Sequence, residues 1–200
     1  MAITGRPRGF DRDAALEAAM LLFWRKGFAA ASMNDLCDTM GIRSPSLYAA
    51  FGGKEALYLE AIEHYVQTVG PPVWDNLDGV SARVSVENLL LTATETLPES
   101  RAAPAGCMAM LSAVGDEWPA TIVDVVRKVR LEVLDRLRSR LQTAVAEGEL
   151  PASTDIDGLS RFYLGVFQGM AVQAQDGATS AELRGMAAAA MAAWPSGASS

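Results

Sequence analysis

Apolar residues recur at three- and four-residue intervals along most of this chain, and no segment shows the strict alternation typical of a half-buried strand. The first run predicts a helix from about Asp11 to Lys26, with Asp11 as its N-cap and Gly27 as the left-handed residue that ends it. One face of this helix is apolar and is expected to lie inward: Leu16, Ala19, Met20 and Phe23.

Two short helical patterns follow and meet at Gly41, where a positive φ is expected. Ser32 followed by Asp35 is typical of a capping box at the start of the second helix. Ser44 is expected to cap the third helix, with Pro45 at the first helical position, where its missing N–H costs nothing. The pattern therefore predicts two short helices joined by a tight turn.

The third helix is expected to end at Gly52-Gly53, and a fourth is expected to run from Lys54 to about Val69 and to stop at Gly70-Pro71-Pro72. Met33, Leu36, Cys37 and Met40 are expected on the inward side of the second helix, and Ile42 is expected to enter the core after Gly41. The third helix is expected to pack by two or three of the side chains Leu47, Tyr48 and Phe51. Cys37 is expected to be a small buried apolar residue.

The rest of the chain predicts further helices near 81–97, 104–115, 117–147, 155–175 and 180–193, so we expect an all-α protein of about nine helices. In the longest of these, the residues expected inward are Ile122, Val125, Val126, Val129, Val133, Leu134, Leu137, Leu141 and Val145. The basic residues expected largely outward are Arg127, Lys128, Arg130, Arg136, Arg138 and Arg140. We interpret that basic run as a solvated face rather than a second nucleic-acid surface.

The formal net charge of −7 is unevenly distributed. Residues 1–54 carry seven basic and five acidic side chains, so the acidic excess lies in the remainder of the chain. A slightly basic head on an acidic body is compatible with specific DNA binding, while the acidic body disfavours nonspecific binding to phosphate.

Several classes of protein are disfavoured by what the sequence lacks. It has no long uncharged apolar run and no apolar segment after Arg6 and Arg8, so we expect neither a membrane span nor a secretory signal. Two distant cysteines form no metal motif, and we expect a cytoplasmic protein. With one histidine and no nucleophile or phosphate-binding motif, we expect no catalysis and no cofactor.

Residues 10–65 resemble the TetR family of bacterial transcriptional regulators. The resemblance is carried by Gly27-Phe28, Ser32-Met33, Leu36, Met40-Gly41, Ser46-Leu47-Tyr48, Phe51, Lys54-Glu55, Leu57 and Tyr65. It implies a homodimer that binds a short inverted repeat in double-stranded DNA, each third helix entering a major groove. It also implies repression that is relieved by a small apolar or amphipathic effector in the helical body.

This resemblance divides the chain into three parts. Residues 1–53 would be an N-terminal arm and a three-helix helix-turn-helix DNA-binding domain. Residues 54–194 would form the larger helical domain for effector binding and dimerisation, with the fourth helix as connector. Residues 195–200 are expected to be a disordered tail, because Pro195, Gly197 and serines cannot bury apolar surface.

The resemblance also indicates which side chains contact DNA. Phosphate contacts are expected from Ser32, Ser44, Tyr48 and Lys54, and Arg6 and Arg8 on the arm would reach the adjacent backbone or minor groove. Arg43 is expected to read a guanine edge, with phosphate as the competing partner, while Pro45 and Ser46 approach bases closely. Ala49 and Ala50 depart from the family, in which aromatic or polar residues are common, so base readout must rely on methyl contacts and DNA shape.

In the body, two sets of residues are candidates for binding roles, although ordinary core packing explains each aromatic or methionine singly. The predicted effector pocket is lined by Trp74, Cys107, Met108, Met110, Trp118, Phe162, Tyr163, Phe167, Met170 and Gln173. The predicted dimer seam contains small residues and one methionine: Gly165, Gly169, Ala171, Met186, Ala189 and Ala190. Two alternatives stay open: a redox- or electrophile-sensing repressor that uses Cys107, and a helical ligand-binding protein or enzyme without DNA binding.

Overall fold

The computed structural model describes residues 10–79, 81–112 and 118–195. These ranges contain ten α-helices, one 3-10 helix and no strand, which confirms the all-α prediction. The helix beyond the predicted nine is a single turn that directly follows Gly70. The arm residues Arg6 and Arg8 and most of the expected disordered tail lie outside the described residues. The chain divides into two compact units, residues 1–64 and 65–200.

The first unit is built from three helices and most of a fourth. They are α1 (Arg12–Ala30), α2 (Met33–Met40), α3 (Ser44–Phe51) and α4 (Lys54–Thr68), and the division between the units falls inside α4. Its core is aromatic and aliphatic: Leu16, Phe23, Leu36, Leu47, Phe51, Leu57 and Tyr58 are buried.

Local hydrogen bonds fix where α1 and α2 begin, as predicted. The Asp11 side chain accepts from the N–H groups of Asp13 and Ala14 at 3.0 and 3.1 Å, which confirms it as the N-cap. Ser32 accepts from the Asp35 N–H at 3.0 Å, and the Asp35 carboxylate accepts from the Ser32 N–H at 3.0 Å, which confirms the capping box. Both caps satisfy N–H groups that have no partner within their helices.

The end of α1 differs from the prediction. Gly27 has φ 75° and ψ 167°, a conformation almost restricted to glycine, and interrupts the helix as expected. Helical backbone then resumes and continues to Ala30, so α1 consists of two helical stretches joined at Gly27 rather than one that stops there.

The predicted cap of α3 was wrong. Ser44 is the first helical residue, Pro45 is the second, and the N-cap is Arg43, which makes no side-chain capping bond. The reason is that the Arg43 carbonyl accepts from the N–H groups of Ser46 and Leu47 at 2.9 and 3.1 Å. A Ser44 cap would have needed these same N–H groups.

The second unit contains the C-terminal end of α4 and the remaining helices. These are α5 (Pro71–Trp74), the 3-10 helix Asp75–Asp78, α6 (Ala82–Thr96), α7 (Met108–Leu111), α8 (Ala120–Ala146), α9 (Ile156–Gln175) and α10 (Ser180–Ala192). α6 packs on α10, and α9 packs on both α8 and α10. None of the described helices is long and apolar enough to cross a bilayer.

Two predicted helix boundaries in this unit were wrong. Only the single turn α7 is helical within the described part of 104–115, because the residues before it, including the buried Pro104 and Cys107, form an irregular segment with a positive φ at Gly106. The long helix begins at Ala120 rather than near residue 117, directly after Pro119, whose carbonyl accepts the first helical hydrogen bonds.

Side-chain placement along α8 also corrects the prediction. Val125 is exposed rather than inward. Arg130 and Arg140 are not outward: Arg130 donates to the Ser112 carbonyl at 2.9 Å, and Arg140 donates to the Glu149 carboxylate at 3.1 Å. Long side chains can fold back over apolar surface, which a helical periodicity does not detect.

Candidate nucleic-acid interface

α3 is anchored on one side and open on the other. Leu47 is 0% and Phe51 is 3% exposed, and these two side chains hold the helix on the core of the first unit. The opposite face presents exposed residues from its first turns: Arg43, Ser44, Pro45, Tyr48 and Ala49, with Ser46 half-buried beside them. A short helix with one buried edge and one free edge of small and polar residues can lie in a DNA major groove.

The start of α2 is a rigid, hydrogen-bonded corner. The Ser32 hydroxyl donates to the Asp35 carboxylate at 2.8 Å, and Lys26 pairs with the same carboxylate at 3.1 Å. The backbone and hydroxyl of Ser32, followed by Lys26, lower the pKa of Asp35 to about 2. The hydroxyl and the N–H of Ser32 both donate to the Asp35 carboxylate. A phosphate contact at the start of α2 would therefore have to use other N–H groups of its first turn.

Lys54, the predicted phosphate anchor, lies half-buried at the start of α4. Its ammonium nitrogen is 3.4 Å from the Ala29 carbonyl oxygen and 4.5 Å from the centre of the Phe28 ring. Burial lowers the pKa of Lys54 below its usual value. The carbonyl and the ring thus hold a cation at the beginning of a helix, where N–H groups and the helix dipole also favour an anion.

Tyr48 and Arg43 are the two large polar side chains of the open face. Tyr48 is 54% exposed, and its ring lies beside Gly53, where an added Cβ would be 3.6 Å from a ring carbon. Arg43 is exposed, and its guanidinium makes no hydrogen bond or ion pair with any other described residue. An unengaged guanidinium next to a groove-sized helix is suited to a guanine edge or a phosphate.

The two alanines leave an open concavity of about 370 Å³ beside α3. It is lined by Phe10, Gly41, Ile42, Arg43, Ser46, Ala49 and Ala50. Neither alanine can donate a hydrogen bond to a base. The geometry is therefore suited to methyl contact rather than to hydrogen-bond readout at these two positions.

Arg12 is a site residue that the sequence analysis did not identify. Its guanidinium pairs with the Glu60 carboxylate on α4 at 2.6 Å, donates to the Ala50 carbonyl at 3.3 Å, and lies 4.4 Å from the centre of the Phe51 ring. One side chain of α1 therefore ties the end of α3 to α4. No local motif marks such a residue, because its partners are 38 and 48 positions away.

The residues predicted for an effector pocket are placed differently from one another. Most of them are buried: Trp74, Cys107, Met108, Met110, Tyr163, Phe167 and Met170. Trp74 packs on Phe167 with ring centres 4.7 Å apart, whereas the Tyr163 hydroxyl donates to the Ala190 carbonyl at 3.3 Å. Trp118 is half-buried, while Phe162 and Gln173 are exposed and do not line an interior. The residues of the predicted set therefore do not all line one interior pocket.

Cys107 is a buried thiol, 4% exposed. The Tyr65 hydroxyl lies 3.2 Å from its sulfur and donates to it. Burial raises the pKa of the Cys107 thiol, although the Tyr65 hydrogen bond opposes this rise. The thiolate is the reactive form, so this environment disfavours reaction at neutral pH. Cys37 is half-buried, not fully buried as expected.

The predicted dimer seam is partly exposed on α9 and α10. Gly165 and Ala189 are exposed, and Gly169 and Met186 are half-buried. Ala171 and Ala190 are 0% and 5% exposed within their own chain, so their side chains have almost no surface left for a partner. This corrects their assignment and leaves a narrower stripe on the two helices.

Two family models match the chain. Residues 15–61 match the model described as bacterial regulatory proteins, tetR family. Residues 88–190 match the model of the tetracyclin repressor-like C-terminal domain. The first match covers α2 and α3 in full, and the second covers most of the second unit.

Individual proteins are similar over nearly the whole chain. The HTH-type transcriptional repressor ComR of Escherichia coli K12 is 32% identical over 195 residues, which cover 96% of this chain and 92% of ComR. A cysteine mutant of the TetR family transcriptional regulator CifR, complexed with a 26-base-pair operator DNA, is 41% identical. It superposes with a TM-score of 0.89 over 95% of this chain and 100% of that chain. The repressor BdcR of the same E. coli strain is 45% identical over 75 residues, 38% of each chain.

Proposed function

Because the chain belongs to the tetR family of bacterial regulatory proteins, we propose that it is a cytoplasmic transcriptional repressor that binds an inverted-repeat operator as a homodimer. A small-molecule effector in the second unit would release the DNA. The observation that carries the proposal is that one face of α3 is open while Leu47 and Phe51, on its opposite face, are buried in the core of the first unit. ComR and BdcR are both described as repressors, which supports repression rather than activation.

In this proposal, phosphate contacts position α3 and a few side chains read bases. Tyr48 would offer its exposed hydroxyl, and Lys54 its ammonium, to the backbone on either side of the groove. Arg43 would contact a guanine, while Pro45 and Ala49 would contact thymine methyl groups. The CifR mutant that resembles this chain is complexed with operator DNA, which supports the same use of the first unit.

The test of DNA binding is a triple substitution, Arg43→Ala, Tyr48→Phe and Lys54→Ala, measured by fluorescence anisotropy with a labelled operator duplex. We expect affinity to fall at least a hundredfold, because three contacts of about 1 kcal/mol or more each are lost. The dependence of log K on log salt should become shallower, by about one for each phosphate contact removed. Arg25→Ala, an exposed arginine on α1, is the matched control, and equal affinities of control and triple variant would refute the proposal.

The homodimer is proposed to form through the exposed small residues of α9 and α10. Gly165 and Ala189 lie on the accessible side of these helices, where small side chains permit close helix approach. Analytical ultracentrifugation of Gly165→Arg should show a monomer, since a long charged side chain prevents that approach. Ala102→Arg, in an exposed loop, should stay dimeric, and a dimeric Gly165→Arg would refute the seam.

The effector is proposed to be a small molecule rather than a reagent that modifies Cys107. The burial of this thiol and its raised pKa favour the unreactive protonated form. If electrophile sensing operated instead, a thiol alkylator would release operator DNA from the wild type but not from Cys107→Ser. We expect equal release from both proteins; release from the wild type alone would establish the alternative.

A further inference from the structure

A basic and apolar groove between α8 and α9 has no role in the function proposed above. It has a volume of about 250 Å³ and is lined by Arg127, Arg130, Leu131, Leu134, Arg161, Leu164 and Gln168. Three of these residues are arginines, three are leucines, and none is acidic. We propose that this groove binds a small organic anion, namely a carboxylate attached to a short apolar chain.

The charge of the groove favours an anion. Burial and the neighbouring Arg127 lower the pKa of Arg130, so two like charges are held close together in a partly dry environment. Arg127 is paired with Asp124, and Arg130 donates to a backbone carbonyl, whereas Arg161 is exposed and contacts no acidic group among the described residues. A bound carboxylate would supply the counter-charge and accept hydrogen bonds from a planar guanidinium.

The leucines require the ligand to carry an apolar part. Leu131 has a large aliphatic side chain and is 52% exposed, whereas Leu134 and Leu164, which line the same groove, are buried. A simple inorganic anion would use the arginines and leave Leu131 in water. An apolar chain laid on the leucines would gain burial at the same time as its carboxylate gains charge pairing.

The volume limits the size of the ligand. Sites for drug-sized molecules usually occupy about 300–1,000 Å³, so a groove of about 250 Å³ is suited to something smaller. The Gln168 amide, which lies 3.8 Å from the Met110 sulfur, is the one neutral polar group of the lining and can contact a carboxylate oxygen. The claim that this ligand is the effector rests on the proposed function, whereas the claim that the groove binds it does not.

The experiment measures binding by isothermal titration calorimetry on the full chain without DNA, with octanoate, 1-octanol and inorganic phosphate as probes. We expect octanoate to bind at least tenfold more tightly than either octanol, which lacks the charge, or phosphate, which lacks the chain. Equal binding of octanol would show an apolar surface without charge recognition, and equal binding of phosphate would show an anion patch without an apolar site. Either result would overturn the proposal, as would the absence of octanoate binding.

Variants then locate the site. Arg161→Gln and Leu131→Ser should each weaken octanoate about tenfold, because both side chains are exposed and their loss should leave folding intact. Lys128→Gln removes one positive charge from α8 outside the groove and should change affinity less than twofold. Unchanged binding by Arg161→Gln would refute the assignment. Operator binding measured separately without octanoate tests the proposed function, so the two can fail independently.

Discussion

Arg12 is expected to control how firmly α3 is held, and Arg12→Met isolates that role. Methionine keeps an apolar stem of similar length but removes the guanidinium, and with it the bonds to Glu60 and the Ala50 carbonyl. The side chains of Arg12 and Glu60 are 29% and 36% exposed, so their ion pair is worth up to about 1 kcal/mol. The charged hydrogen bond adds about 1 kcal/mol, and the contact with the Phe51 ring adds about 0.5 kcal/mol.

These contributions predict that Arg12→Met destabilises the first unit by about 2 kcal/mol, since contacts made by one side chain are not independent. Urea unfolding followed by circular dichroism should show a lower midpoint with an unchanged slope. If all of this free energy is lost from the contacts that hold α3 in place, operator affinity should decrease by up to about thirtyfold, because fewer molecules have α3 in the binding-competent position.

Glu60→Gln distinguishes positioning from simple charge. Removing an acidic residue should strengthen DNA binding if only long-range electrostatics act, because DNA is an anion. It should weaken DNA binding if Glu60 acts by holding Arg12 against the end of α3. Arg25→Met, on the exposed side of α1, loses the same charge without these contacts. The reasoning is refuted if Arg12→Met and Arg25→Met have the same urea midpoint and operator affinity, or if Glu60→Gln binds the operator more tightly.

Three further changes test local features of the structure. The pKa of Asp35 is about 2 instead of 3.8, so its capping contacts stabilise the fold above about pH 4 and are lost as the pH falls towards 2. Thermal unfolding of Asp35→Asn from pH 2 to 6 should therefore show less loss of stability in acid than the wild type; an identical pH profile would count against the cap. Gly41→Asn should lower stability less than Gly27→Asn in urea unfolding, because asparagine tolerates the left-handed backbone of Gly41 but not the φ 75° and ψ 167° of Gly27. Glu149→Gln should lower the free energy of unfolding by about 2 kcal/mol, since it removes the counter-charge of a largely buried Arg140, whereas the exposed Glu99→Gln should not; equal midpoints would contradict this.

Features determined by neighbouring residues could be predicted from the sequence. The N-cap at Asp11 and the capping box of Ser32 and Asp35 use partners two or three positions away, so the local pattern contains the whole interaction. The same holds for the turn at Gly41, with its φ of 65°. The cap of α3 was the exception, because Arg43 uses only its backbone carbonyl and leaves no side-chain signature.

Features formed between distant segments could not be predicted in this way. Arg12 has the sequence context of any basic residue near a helix start, and its role appears only when α3 and α4 are brought to it. The apolar pattern of 104–115 predicted one helix, although in its described part only the turn Met108–Leu111 is helical and the partly buried residues before that turn are irregular. Periodicity reports which residues avoid water, not how the backbone between them is bonded.

The basic residues of α8 show the physical limit of predicting one helix alone. The sequence pattern predicts one solvated face for them, yet the structure gives them different partners: Arg130 bonds to the Ser112 carbonyl, Arg136 to the Trp74 carbonyl, and Arg140 to the Glu149 carboxylate. Each partner lies on another segment, so the choice between solvent and interior is made by the packed unit and not by the helix. Arginines bonded in this way have fewer donors left for the phosphates of DNA. The number of basic residues on α8 therefore overstates the charge that the second unit can offer to nucleic acid, and the open face of α3 remains the better candidate for that contact.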